Sequence, residues 1–173
     1  DPGVYEMISQ GNTQGVFQLE SQGMTQFMKN LRPGCFEDIV AGISLYRPGP
    51  MDSIPRYIEN KKNPDKIKYV DPALAPILDV TYGCLVYQEQ VMQIVRELGG
   101  YSYGRSDLVR RAMSKKKMDV MMEEKELFVH GKADSEGNVE IKGCVRNGIS
   151  EAAAEAIFND MASFGQYAFN KSH

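Results

Sequence analysis

Met24, Phe27, Met28 and Leu31 recur at i, i+3, i+4 and i+7, the spacing of a helix with one apolar face. Ser21 stands where an N-cap belongs, and Pro33 bars the helix from continuing. Phe36, Ile39, Val40 and Ile43 repeat the spacing and predict a second helix. Val91, Ile94, Val95 and Leu98 predict another from Tyr87 to Leu98, with Gln88, Glu89 and Gln93 on its polar side and Gly99-Gly100 as its stop. Met118, Met121, Met122, Phe128 and Val129 line a helix reaching His130, and Ile157, Phe158, Met161 and Phe164 line one capped by Ser150. Shorter helices are expected over 4–11, over 52–62 with Pro55 in the first turn, and from Asp71-Pro72 to Leu78. Such stripes are read as core.

The rest of the chain leaves the helical period. TYGCLVY (81–87) is β-branched and aromatic and predicts a short strand. Residues 131–147 are rich in glycine and polar residues around a turn at Ser135–Asn138, which predicts a small β-hairpin near 131–145. LYRPGPM (45–51) is stiffened by two prolines around Gly49 and holds Tyr46 and Arg47 on a rigid loop. The fold class is therefore mainly α, with one short strand and one hairpin.

Composition narrows the setting. At 173 residues the chain is long enough for one domain with its own core, or for one domain and an appendage. An apolar content of 42% with 25% charged residues is that of an ordinary globular protein, and no apolar run approaches the length of a membrane span. Cys35, Cys84 and Cys144 are widely spaced, and only His130 and His173 could join them. They make neither a zinc pattern nor a disulfide framework and are read as reduced, intracellular thiols. A chain that begins Asp1-Pro2 and stops at His173 reads as a piece of a longer one.

Charge points to candidate chemistry. Gly104–Lys117, GRSDLVRRAMSKKK, holds six cations (Arg105, Arg110, Arg111, Lys115, Lys116, Lys117) against the single acid Asp107, whereas the whole chain is formally −3. Ser106 can cap a helix here, with Leu108, Val109, Ala112 and Met113 as its apolar face. Adjacent arginines sit about 100° apart around a helix, yet both can flank one anion with several oxygens. The run fits a phosphate-binding helix, and it fits a solvated charged face; spacing alone does not choose between them. Arg47 and Tyr46 likewise fit a plain connector or a loop offering a cation and a ring to a nucleotide. There is no Asp-x-Asp, no GxGxxG, no GxxxxGK[ST] and no nucleophile beside a histidine base.

Longer motifs carry further. GVFQLES (15–21), FEDIVAGISLYRPGPM (36–51), TYGCLVYQEQVMQI (81–94), DLVRRAMSKKK (107–117) and YAFNKSH (167–173) together resemble the bacterial replicative DNA polymerase III alpha subunit, a C-family polymerase, over its fingers region. The resemblance implies a helical fingers domain in which 1–173 is a single fragment and the catalytic palm, with its metal-binding aspartates, lies upstream. It implies a part in template-directed DNA synthesis, with Arg110, Arg111, Arg47, Lys171 and His173 at the incoming dNTP. It also implies that Arg105, Lys115, Lys116, Lys117, Tyr46 and Asn170 lie at the primer-template DNA. Mg2+ is implied for the intact polymerase and none for this fragment, which is expected to be inactive alone. The remaining partners are the rest of the alpha subunit and other replisome components, in a bacterial cytoplasm at the nucleoid and away from any membrane. Two departures from the family stand out: Ser114 in place of a common glycine, and a segment 131–145 longer than the usual connection, read as an inserted hairpin. The alternative is a stand-alone helical module that binds nucleic acid or a protein without catalysis.

Overall fold

The computed structural model describes residues 1–115 and 118–172; Lys116, Lys117, His173 and the side chain of Met118 lie outside the described residues. The chain forms two compact units, Asp1–Lys66 and Ile67–His173.

In the first unit, the first two helices begin where side chains satisfy free N–H groups. The Asp1 carboxylate accepts from Gly3 N at 2.8 Å and opens α1 (Pro2–Ser9). Ser21 Oγ accepts from Met24 N and opens α2 (Gln22–Leu31), which buries Met24, Phe27, Met28 and Leu31 as their spacing predicts. Helix α3 (Phe36–Leu45) forms where expected but turns a different face inward: Asp38, Ala41, Gly42 and Leu45 are buried, while Phe36 is 64% exposed. The reason is close approach. A Cβ at Gly42 would lie 2.5 Å from Met28 Cε and 3.1 Å from Leu31 Cδ2, so the small side of α3 is the one that fits against α2. Asp38 is tolerated inside because it accepts from Gly34 N at 2.8 Å and pairs with Lys61 Nζ of α4 (Ile54–Lys62) at 2.9 Å.

The second unit packs its helices around one core. After a turn at Pro72–Leu74 capped by Asp71, α5 (Ala75–Leu78) leads to α6 (Gln88–Glu97), α7 (Tyr103–Lys115), α8 (Met118–His130) and α9 (Glu151–Phe164). Val95, Met113, Phe128, Phe158 and Met161 are among the core's most deeply buried members. Helix α7 starts earlier than the sequence suggests. Ser102 Oγ accepts from Arg105 N, while Ser106 lies buried inside the helix and donates to Tyr103 O at 2.7 Å. Its inward face is Val109 and Met113, and Leu108 is exposed. On α8, Met122 points out and Glu124 takes the inward position between Met121 and Phe128.

The expected strand at 81–87 is absent among the described residues: a 3-10 turn at Asp79–Thr81 is followed by irregular backbone with Tyr82 and Gly83 left-handed. Polar side chains take the groups that a ladder would use. Val86 N and Tyr87 N both donate to Gln90 Oε1, at 2.9 and 3.0 Å, and Thr81 Oγ1 donates to Cys84 O at 2.6 Å. Only Tyr87 keeps a bridge, parallel to Phe169. The hairpin does form, from β1 (Lys132–Ala133) and β2 (Val139–Ile141), antiparallel with Lys132 opposite Ile141. The Asp134 carboxylate closes it by accepting from the Asn138 side-chain amide and from Asn138 N and Glu136 N, and these bonds, the side-chain one first, hold the carboxyl below the usual carboxylate range. The fold is mainly α, as the periodicity indicates. Among the described residues, no helix is long and apolar enough to cross a membrane.

Candidate anion-binding site

Helix α7 sets the two neighbouring arginines on its outer surface, and Asp107 draws them together. Asp107 stands three residues before Arg110 and four before Arg111, the two separations at which helical side chains meet. Arg110 Nε and Nη2 donate to Asp107 Oδ1 at 3.0 and 2.8 Å, and Arg111 Nη2 lies 2.8 Å from Asp107 Oδ2. Two guanidinium groups that leave the helix in different directions thus converge on one carboxylate. The bond from Arg110 holds the Asp107 carboxyl below its usual range, and both guanidinium charges add to this against some desolvation. The two cations are not equivalent. The Arg110 side chain is 21% exposed and also donates through Nη1 to Gln88 Oε1 at 3.3 Å, while that of Arg111 is 63% exposed.

Gln88 opens α6 and also meets the C-terminal segment. Its Nε2 donates to Ala168 O at 3.1 Å and its backbone N to Phe169 O at 2.9 Å. Glu89, the next residue, accepts from Lys171 N at 3.1 and 3.2 Å, and Lys171 Nζ lies 5.3 Å from the centre of the Tyr87 ring. Ser114, at the last turn of α7, donates to Gly165 O at 3.2 Å, where a Cβ on Gly165 would lie 2.6 Å from Met113 Cβ. The fold therefore ties three distant sequence motifs, 86–90, 107–114 and 165–171, to one place. Asn170 and Lys171 are exposed there, and Asn170 Oδ1 accepts from Ser172 N.

The other expected site residues fall elsewhere. Arg105 turns inward, its Nη2 2.5 Å from Glu124 Oε1, and Tyr101 Oη donates to Glu124 Oε2 at 3.2 Å. Lys115 is exposed at the end of α7. Lys116, Lys117 and His173 lie outside the described residues. Tyr46 and Arg47 belong to the first unit. There Tyr46 stacks on Phe27, ring centres 5.8 Å apart, with its hydroxyl over Gly23, and Arg47 is exposed after α3. Sequence reasoning did not single out Asp107 and Gln88 as site residues. The i+3 and i+4 spacing of Asp107 from the arginines was a usable signal; for Gln88 there was none beyond its place in the VYQEQ motif. Among the described residues, no three His, Cys, Asp or Glu side chains are placed to hold a metal ion.

Comparison with known proteins decides the family. The bacterial DNA polymerase III alpha subunit finger domain matches residues 1–136. The chain belongs to that family. The DNA polymerase III subunit alpha of Staphylococcus aureus (strain Mu50) is 45% identical over all 173 residues, and that of Staphylococcus epidermidis (strain ATCC 12228) is 43% identical over the same span. In each case the chain covers 15% of the relative's length. This fingers domain therefore corresponds to about one-seventh of such a subunit, and the similarity to those relatives extends through α9 and the C-terminal motif.

Proposed function

We propose that this fingers domain serves a replicative DNA-directed DNA polymerase by binding the triphosphate of the incoming dNTP and contacting primer-template DNA. The observation that carries this reading is the convergence of Arg110 and Arg111 on the two oxygens of one carboxylate. A phosphate group offers a similar pair of oxygens with more charge, so it can engage the same pair of guanidinium forks. Charge builds on the leaving phosphates as a phosphoryl group transfers, and arginines already in place stabilise it without reorganising. Lys171, and His173 beside it in sequence, would add cationic or hydrogen-bonding groups from the segment that Gln88 and Glu89 hold. Arg47 and Tyr46 would contribute from the loop after α3. Lys115, Lys116, Lys117 and Asn170 would meet DNA phosphates. Arg105, committed to Glu124, would support helix α7 in addition to any DNA contact.

Among the described residues no three His, Cys, Asp or Glu side chains are placed to hold a metal ion; in this reading the Mg2+, the palm and the primer hydroxyl belong to the rest of the alpha subunit. The partners are dNTP, primer-template DNA, that remainder and the replisome of a bacterial cytoplasm. The test is kinetic, in the intact subunit. A charge-assisted contact contributes about 1.5–3 kcal/mol, so Arg110→Ala and Arg111→Ala should each lower kcat/KM for the nucleotide by about one to two orders of magnitude. Primer-template affinity should hardly change. Lys115→Ala should instead weaken DNA binding and lower its salt slope by about one. If all three variants lose only DNA affinity, the chain is a nucleic-acid-binding module and the nucleotide role is wrong.

A further inference from the structure

The described residues offer several features that the proposed function does not use: the groove beside Arg96 and Tyr103, the buried Glu124 pair, the hairpin tip and the exposed side of α3. One polar side chain connects more of the site than any of these. Gln88 has a single amide group, and both of its ends are engaged. Oε1 accepts from Arg110 Nη1 at 3.3 Å, and Nε2 donates to the carbonyl of Ala168 at 3.1 Å. Its backbone N–H adds a bond to Phe169 O at 2.9 Å, and Phe169 N donates back to Val86 O at 3.2 Å. The side chain is half-buried at the first position of α6, a helix whose inner face is anchored in the core by Val91, Ile94 and Val95. A rigid helix therefore carries a group that touches the less exposed arginine with one atom and the segment bearing Asn170 and Lys171 with another.

We propose that Gln88 is a positioning residue for the anion site: with its Nε2 anchored on the carbonyl of Ala168, its Oε1 fixes the direction of Arg110. The inference rests on the nucleotide role given to Arg110 above. Arg110 is held on two sides, by Asp107 through Nε and Nη2 and by Gln88 through Nη1. Asp107 alone would leave the guanidinium able to swing about the axis of its shared bonds, and the second contact removes that freedom. An arginine fixed before the ligand arrives loses less conformational entropy on binding, which is where the affinity would come from. The amide suits this task because it must accept from a cation and donate to a carbonyl at once. A carboxylate offers no donor and an ammonium no acceptor.

The test is a double-mutant cycle in the intact polymerase subunit, read as kcat/KM for dNTP on a primed template. Gln88→Met keeps the bulk and removes both hydrogen bonds. It should lower nucleotide kcat/KM about tenfold, the effect of one lost contact to a charged group. Primer-template affinity should stay within about twofold. In an Arg110→Ala background the same change should add less than about twofold, because a residue that acts through Arg110 has nothing left to position. Should the Met variant fail to fold, Gln88→Ala, which only removes atoms from a half-buried place, enters the cycle with the same expectations. Additive losses, or a loss confined to DNA affinity, overturn the role of Gln88 while leaving Arg110 in place. Wild-type nucleotide kinetics for Arg110→Ala overturn both the role of Gln88 and the reading beneath it.

Discussion

Three arginines of one helix meet three different fates. Arg111 stays largely in solvent, Arg110 is clamped by two partners, and Arg105 goes inward to a carboxylate on α8. Glu124 sits at a core position because Arg105 and Tyr101 satisfy its oxygens. Burial nevertheless raises its carboxyl above the usual range, with the Arg105 charge and the Tyr101 bond opposing the shift without cancelling it. The same burial, with the Glu124 charge next in weight, raises the Tyr101 hydroxyl. A carboxyl so raised takes up a proton in the fold at a pH where the unfolded chain has already lost it. Its contribution to stability is therefore fully present below the unfolded value of about 4.5 and falls as pH rises through the raised value. Glu124→Gln is expected to remove a loss of stability that sets in as pH rises above about 4.5, as followed by thermal melts at a series of pH values. An unchanged slope would mean that Glu124 titrates normally.

At the level of elements, the hairpin divides into a tip and a root. The tip, 134–138, is exposed and closed by its own Asp134. The root is not: Ile141 is 6% exposed and belongs to the core with Phe128 and Cys144, and Cys144 N donates to Phe128 O at 2.8 Å. Exchanging 134–138 for an Asn-Gly turn should leave stability within about 1 kcal/mol. Ile141→Ala should cost about 2–5 kcal/mol, the usual range for an emptied aliphatic core position. Urea unfolding measures both, and equal effects would show that the tip is as structural as the root. Helix α3 shows the converse case, an element expected in the right place but with a different face inward. Its large apolar residues formed a good stripe, yet the neighbour α2 accepts only the narrow side that contains Gly42.

Across the whole molecule, the cysteines report on both units. Cys35 is exposed in Asp1–Lys66, whereas Cys84 and Cys144 are buried in Ile67–His173. Burial, with the nearby Asp71 adding, pushes the Cys144 thiol up to about 12, so it holds no appreciable thiolate at neutral pH. A thiol reagent should therefore modify one cysteine quickly in the native protein and the other two only as the second unit opens. Mass spectrometry of the labelled peptides checks this; rapid labelling of Cys144 would mean that the core around Phe128 opens readily.

Helices with caps and clear i, i+3, i+4 stripes, α2 and α9 above all, were determined by local sequence, because cap bonds and apolar periodicity act over a turn or two. The hairpin was legible for the same reason, and the family could be read from motifs long enough to be specific. The site was legible only in part. Arg110 and Arg111 were evident as charge, and their joint hold on Asp107 follows from helix spacing. Their connection through Gln88 to Ala168 joins residues 80 apart, and no local rule encodes it. The strand expected at 81–87 failed because Gln90 and Thr81 bind that backbone from inside the core. Tertiary packing decided these points because the energy of a buried polar contact or a close-packed face depends on which partner arrives, and local sequence does not specify the partner.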